Sequence, residues 1–402
     1  MRFVIVHPRG RRVQRLRARL TALLASLAAA AALAAGPEGV RAQQAPPPTP
    51  PLSTPVWAEL LQAELARVAA RHTAGLGVYV RDLETGVAVS HRADETWYLA
   101  STVKVPVALA VLRAVERGEF TLDTRLRVRA ADYVDGAGAT NHKPVGAPVS
   151  VRFLIEQMIV YSDNTASDML IGLVGLRAVN ALVQEWVPQG IERITTLADV
   201  RRHAYGHLTD EAVHLSGLDF FAIKQQRNDA ERLQALARVL RVPEASFQLP
   251  SVGDAFEAYY ASGLNSGRLD AYGHLLQQLA QGKVLNATHT AYLMGVMERV
   301  QTGKQRIRAG LPPGTRFAHK TGTQRARTCD SGLISVPRLG RDKQVIVVAC
   351  TRGELLIGRS DRALKDVGTA ICKSGLLTDG RPHDPMCLAA ANAVSRAEPD
   401  DR

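Results

Sequence analysis

Aromatic residues make up only 5% of this 402-residue chain, and no lysine and arginine stripe with interleaved aromatics occurs. A nucleic-acid interface would show such a stripe, so the net charge of +12 is not read as one. The apolar run Leu20–Ala35 stops at 16 residues, short for a membrane span. No Gly-x-Ser-x-Gly elbow and no His-Glu-x-x-His pair is present, which argues against an α/β-hydrolase and a zinc peptidase. Cysteines are few: Cys329, Cys350, Cys372 and Cys387, at spacings of 21, 22 and 15 that do not resemble a zinc site. His203 and His207, with His214 nearby, are a weak metal candidate beside the plainer reading of loop histidines. No metal or cofactor is expected.

Much of the basic charge sits at one end. The first 42 residues hold eight arginines and one glutamate, which leaves a net +5 on the rest. A basic stretch from Arg2 to Arg19, the apolar run, and Val40-Arg41-Ala42 before Gln43 read as a secretory signal over 1–42. Arg11-Arg12 hints at twin-arginine export. The chain is therefore expected to be exported, periplasmic or extracellular, with no membrane contact beyond that segment. Disulfides form in such a compartment. Residues 43–55 are a proline-rich spacer, 56–377 a single catalytic domain, and 378–402 a polar tail.

Along that domain, Trp57–His72 has the spacing of an amphipathic helix, and Leu76–Asp82 with Val87–His91 reads as a hairpin. Ser150 is placed to cap a helix over Val151–Val160. Helical patterns follow to Val174, at Asn228–Leu240, Leu269–Leu279 and Thr288–Val300. The rest of 186–262 reads mainly as turns. Three strands come late, at Thr315–Gln324, Ser331–Val336 and Gln344–Thr351, before a helix over Asp361–Lys373. A hairpin of the last two strands would set Cys329 opposite Cys350, which favours that disulfide. The pattern predicts an α+β fold: a five-stranded antiparallel sheet from both chain ends (56–95 and 301–377), flanked by helices, with an all-helical lobe inserted over 96–300.

Ser101 and Lys104 stand three apart at the head of the apolar run Val105–Leu112. Residues i and i+3 share a helix face, so the lysine amine points back at the hydroxyl. A buried, neutral lysine can take a serine's proton and make it a nucleophile. Alone, a Ser-x-x-Lys is common. Here Ser162-Asp163-Asn164 and Lys320-Thr321-Gly322 follow it in order.

These three motifs resemble those of the penicillin-recognising serine hydrolases, the class A β-lactamases and penicillin-binding DD-peptidases. Ser162–Ala166 and Arg308-Ala309-Gly310-Leu311-Pro312 look most like class A. The resemblance covers roughly residues 57–375. It implies the β-lactamase/transpeptidase-like fold and a Ser101 acyl-enzyme. Lys104 would be the base, or would hold a proton network, and Ser162 would pass a proton to the leaving nitrogen. Asn164 would bind the side-chain amide, while Lys320, Thr321 and Thr323 would bind the substrate carboxylate. The N–H groups of Ser101 and Thr323 would form the oxyanion hole. Gly322 would let the substrate lie close to the strand. Mutual repulsion of the two lysines would lower the amine pKa.

Two features depart from the class A pattern. The loop Glu-x-x-Leu-Asn is missing from Ile194–Tyr205. Arg201 is the nearest match, and Asp199 is a weak candidate for the deacylation base. Cys329 occupies the strand position of the auxiliary arginine, so Arg325 or Arg327 would serve instead. Three readings follow: a class A-like β-lactamase, a DD-peptidase acting on D-Ala-D-Ala-type peptides, or a slowly acylating β-lactam sensor or sink. A monomer is expected.

Overall fold

The computed structural model describes residues 54–338, 340–385 and 387. The signal segment, nearly all of the proline-rich spacer and the end of the tail lie outside them.

The described chain starts with α1 (Val56–Arg71), which buries Ala58, Leu61, Leu65 and Val68 as one stripe. Strands β1 (Gly75–Asp82) and β2 (Ala88–His91) form the expected hairpin. Its turn is held by Asp82, which accepts from Thr85 Oγ1 at 2.8 Å and from Lys343 Nζ at 2.7 Å. After β3 (Thr96–Tyr98), one 3-10 turn over Ala100–Val103 leads into α2 (Lys104–Glu116). Ten of the thirteen residues of α2 are buried. A helix apolar on nearly every side belongs inside a protein, and α2 packs among the helices that follow.

Short strands β4 (Arg125–Arg127) and β5 (Pro148–Ser150) pair before α3 (Val151–Val160), and the Ser150 hydroxyl caps α3 by accepting from Phe153 N at 3.1 Å. Then come α4 (Asn164–Val174) and α5 (Leu176–Trp186). The stretch read mainly as turns holds four helices: α6 (Leu197–Gly206), α7 (Gly217–Lys224), α8 (Asp229–Leu240) and α9 (Val252–Ala261). Of these only α8 was expected. Gly206 and Gly253 fall in the last and second positions of their helices, where a glycine weakens a helix least. The caps Thr196, Ser216 and Ser251 supply the start signals.

The chain continues through β6 (Ser266–Arg268), which pairs with β3, then α10 (Leu269–Ala280) and α11 (Ala287–Glu298). It ends with β7 (Arg316–Gln324), β8 (Arg327–Val336), β9 (Lys343–Arg352) and α12 (Ile357–Lys373). The main sheet is antiparallel, in the order β2-β1-β9-β8-β7. One face packs on α1 and α12 through Val78, Val80, Phe317, Val347, Leu364 and Val367. The other packs on the helical core, where Tyr79 lies so close to Gly273 of α10 that a side chain there would meet its ring at 2.4 Å. β8 begins four residues earlier than expected, because Arg327–Asp330 lack a β-branched apolar run yet pair in register with β7 and β9. In that register Cys329 faces Cys350, and the two are disulfide-bonded. Cys372 and Cys387 form a second disulfide.

Candidate active site

Ser101 sits in the 3-10 turn, and Lys104 N–H donates back to the Ser101 carbonyl. In 3-10 geometry the side chains of i and i+3 eclipse, so the serine and the lysine share one face where the turn becomes a helix. Ala100, just before the serine, has φ +48°. Such a conformation costs a non-glycine residue about 1–2 kcal/mol, and here surrounding contacts hold it. Gly322 of β7 supplies one of them. A Cβ there would stand 2.7 Å from the Leu99 carbonyl and 3.3 Å from Ser101 N. This glycine thus lets the strand seat against the serine turn.

Lys104 is fully buried. Its Nζ donates to the Ser162 carbonyl at 2.6 Å, Asn164 Oδ1 at 2.7 Å and Ser162 Oγ at 3.2 Å. None of these acceptors is a carboxylate. Burial pulls the amine down to about 7, against the more distant pull of Asp163 and Asp168 upward. Lys320 is also fully buried. Its Nζ donates to Ser162 Oγ at 2.9 Å and to the Thr321 carbonyl at 3.0 Å. Its amine is pushed well down, first by burial, then by Lys104 and Arg306. Desolvation, more than repulsion between the lysines, is the leading cause for both.

The Ser162 hydroxyl therefore bridges two amines. Ser162 has φ +62°, which turns its carbonyl toward Lys104. Asp163 locks that turn: its carboxylate caps α4 through Ala166 N at 2.9 Å and accepts from Thr140 N at 3.0 Å. Gly138, with φ +107°, passes so close that a Cβ would lie 2.1 Å from Asp163 Oδ2. Asn164 Nδ2 donates to the Asp135 carbonyl at 2.6 Å, so its amide is fixed at both ends.

Ser101, Ser162, Asn164, Thr321 and Thr323 line one cleft of about 550 Å³. The arginine that reaches Thr323 is Arg306, which the sequence reading passed over. It donates to Thr323 Oγ1 at 2.8 Å, to the Gly322 and Cys329 carbonyls at 3.1 and 3.0 Å, and pairs with Asp361 at 2.7 Å. It stands two residues before Arg308-Ala309-Gly310, a stretch already singled out, and that proximity was the available signal. Arg325 lines the cleft too, but its guanidinium pairs with Asp229 at 2.7 Å. Arg327 pairs with Glu257 and lies over the Tyr260 ring.

The wall facing these groups carries Arg201, bonded in bidentate fashion to the buried Asp135 at 2.9 and 3.1 Å. Lys224 reaches the same carboxylate at 3.4 Å. These cations hold Asp135 below the usual carboxylate range, although burial pulls the other way. Asp199 is absent from the cleft lining and pairs with Arg202 at 2.9 Å, which its place in the first turn of α6 explains. A half-buried carboxyl missed in the sequence, Asp168, accepts from Leu197 N at 2.7 Å and Ala198 N at 2.9 Å. Burial raises it to about 7. It anchors the start of α6 onto α4. His203 stacks on Tyr259, and His214 lies 3.7 Å from Glu211. Among the described residues no cluster of three or more His, Cys, Asp or Glu is placed to hold a metal ion.

A serine on a turn at a helix start, a buried lysine below it, and a second lysine on the adjoining strand define an active-site-serine fold of the β-lactamase/transpeptidase type. Residues 60–374 match the Beta-lactamase enzyme family, and the chain belongs to that family. Beta-lactamase L2 of Stenotrophomonas maltophilia is 40% identical over 99 residues, 25% of this chain and 32% of that protein. The chain spans about a third to two-fifths of the length of such curated relatives. The crystal structure of a beta-lactamase from Sphaerobacter thermophilus shares the fold, with TM-score 0.58 and 24% identity over 81% of this chain and 99% of that one. A mutant of PBP-A, in an acyl-enzyme complex with penicillin-G, also superposes, with TM-score 0.58 and 20% identity over 78% and 94% of the two chains.

Proposed function

We propose that the protein is a class A-like serine β-lactamase that opens the β-lactam amide through an acyl-enzyme at Ser101. The observation that carries this reading is the Lys104–Ser162–Lys320 chain, with amine-to-hydroxyl distances of 3.2 and 2.9 Å. A lysine with its pKa near 7 is part neutral at neutral pH, so it can accept the Ser101 proton as the hydroxyl attacks the carbonyl. The tetrahedral oxyanion is received by the N–H groups of Ser101 and Thr323, donors of a kind worth roughly 3–4 kcal/mol of barrier. Ser162, between the two amines, relays a proton to the leaving ring nitrogen. Asn164 takes the side-chain amide of the substrate. Lys320, Thr321 and Thr323 take its ring carboxylate, with Arg306 fixing the Thr323 hydroxyl. Family membership and the named beta-lactamase relatives support a β-lactam substrate.

A second reading is favoured by one feature. The acids lining the cleft are Asp135 and Glu354, and both are engaged: Asp135 by Arg201 and Lys224, Glu354 by Thr73 and the Leu356 N–H. Hydrolysis of the acyl-enzyme needs a base for water. With none free, the enzyme would act as a penicillin-binding DD-peptidase that releases β-lactams slowly. A burst assay with a chromogenic cephalosporin separates the two. Steady turnover supports the β-lactamase. A stoichiometric burst with a lasting adduct contradicts it, and D-alanine release from a D-Ala-D-Ala peptide would establish the peptidase. Export to an oxidising compartment belongs to the same proposal, supported by the basic-apolar leader pattern and the two disulfides. Cell fractionation tests it: activity confined to the cytoplasm would refute it.

A further inference from the structure

Two carboxylates at the cleft wall, Asp135 in its lining and Asp229 outside it, are each shared between two cations. Asp135 is held by Arg201 and Lys224, and Asp229 by Arg232 at 2.8 Å and Arg325 at 2.7 Å. All four cations line the same cleft as Ser101. Among the described residues none of the four has another carboxylate partner. Each trio therefore keeps one formal positive charge. Glu354, the other acid in the lining, is matched by Arg359 at 3.7 Å. The wall retains a net charge of about +2 that the catalytic chain does not use.

We propose that this wall is a second anion-binding subsite, which takes a carboxylate carried on the acyl side chain of the substrate. Its position picks out that end of the molecule. The Asp135 trio adjoins Asn164, whose amide is bonded to the Asp135 carbonyl and which faces the acyl-side amide in the proposed reaction. The ring carboxylate has its own receptors on β7, so a second anion needs a second site. Lys224 and Arg232 are the reachable members, with side chains 58% and 30% exposed. Lys224 closes α7 and Arg232 lies on α8. Guanidinium and ammonium groups in a partly desolvated cleft bind carboxylates by charge-assisted hydrogen bonds. The inference rests on the β-lactam reading for the scaffold, while the subsite itself rests on charge and position.

The test compares benzylpenicillin with α-carboxybenzylpenicillin, which differ by one side-chain carboxylate. The wild-type protein is expected to be acylated about tenfold faster, at second order, by the dicarboxylate. In the Lys224→Gln/Arg232→Gln double variant that preference should fall to near one, with benzylpenicillin changed less than about twofold. About 0.5 M salt should shrink the wild-type preference. No preference in the wild type, a preference surviving in the variant, or an equal loss for both penicillins would overturn the subsite. Should neither penicillin acylate Ser101, the β-lactam reading fails and the side-chain fragments decide. Saturation-transfer NMR should then show phenylmalonate monoamide binding the wild type and not the variant, with phenylacetamide indifferent. Absence of that binding would overturn the subsite on its own.

Discussion

The two sides of the cleft are built on different physical terms. On the side of α2 and β7, two lysines are buried with mainly neutral acceptors, and desolvation drives both amines toward the neutral form. On the side of α6 to α8, the buried Asp135 carboxylate is matched by Arg201 and Lys224, which hold it ionised. The first arrangement suits proton transfer, because a group near its titration point can both take and give a proton. The second suits shape and charge recognition, because a paired carboxylate below its usual range is a poor base. The contrast teaches that acylation and release are separable here. In the proposed reaction the first would rest on the Lys104–Ser162–Lys320 chain, whereas for the second each acid that lines the cleft among the described residues is already engaged.

Variants that break one side and spare the other sharpen this contrast. Ser101→Ala should have the largest effect, lowering any hydrolysis by about 10⁴-fold or more and abolishing a covalent adduct in intact mass spectra. Lys104→Met should slow acylation by roughly 10²–10⁴-fold. With wild type, the second-order acylation rate should rise about tenfold per pH unit below about pH 7 and then level, because the neutral amine is the active form. A profile flat from pH 5 to 8 would remove Lys104 as the base. Arg306→Ala should lower kcat/KM about 10–100-fold, from loss of the charge-assisted partner that fixes the Thr323 hydroxyl. An effect confined to stability would make Arg306 a strut for β7. Asp168→Ala should be mildest on chemistry and act on the other wall. Leaving the N–H groups of Leu197 and Ala198 without their acceptor should cost about 2–3 kcal/mol in urea unfolding. The Ser101 acylation rate should change far less than in the Lys104 variant.

The same division marks what could be read from residues alone. The sheet was legible because β1 and β9 carry valine and isoleucine at strand spacing and the cysteine spacing fits one hairpin register. The relay was legible because Ser101, Lys104, Ser162, Asn164 and Lys320 lie in short motifs. The opposite wall was not. Its helices α6, α7 and α9 are only eight to ten residues long and each has a glycine at or next to an end, so they read as turns. Their cleft residues make long-range pairs such as Arg201 with Asp135 and Arg325 with Asp229, which no local spacing reports. Arg306 was missed for a related reason. It lies outside any strand and reaches Thr323 only because the chain folds back beside β7.

The central claim is that Ser101 is acylated by way of the buried lysine relay. Rapid-quench mass spectrometry with benzylpenicillin tests it most directly, following the wild-type protein and Ser101→Ala in parallel at pH 6 and 8. The account predicts an adduct of the intact penicillin on the peptide carrying Ser101, formed faster at pH 8, and none in the variant. An adduct on another residue, or turnover that persists in Ser101→Ala, would contradict it.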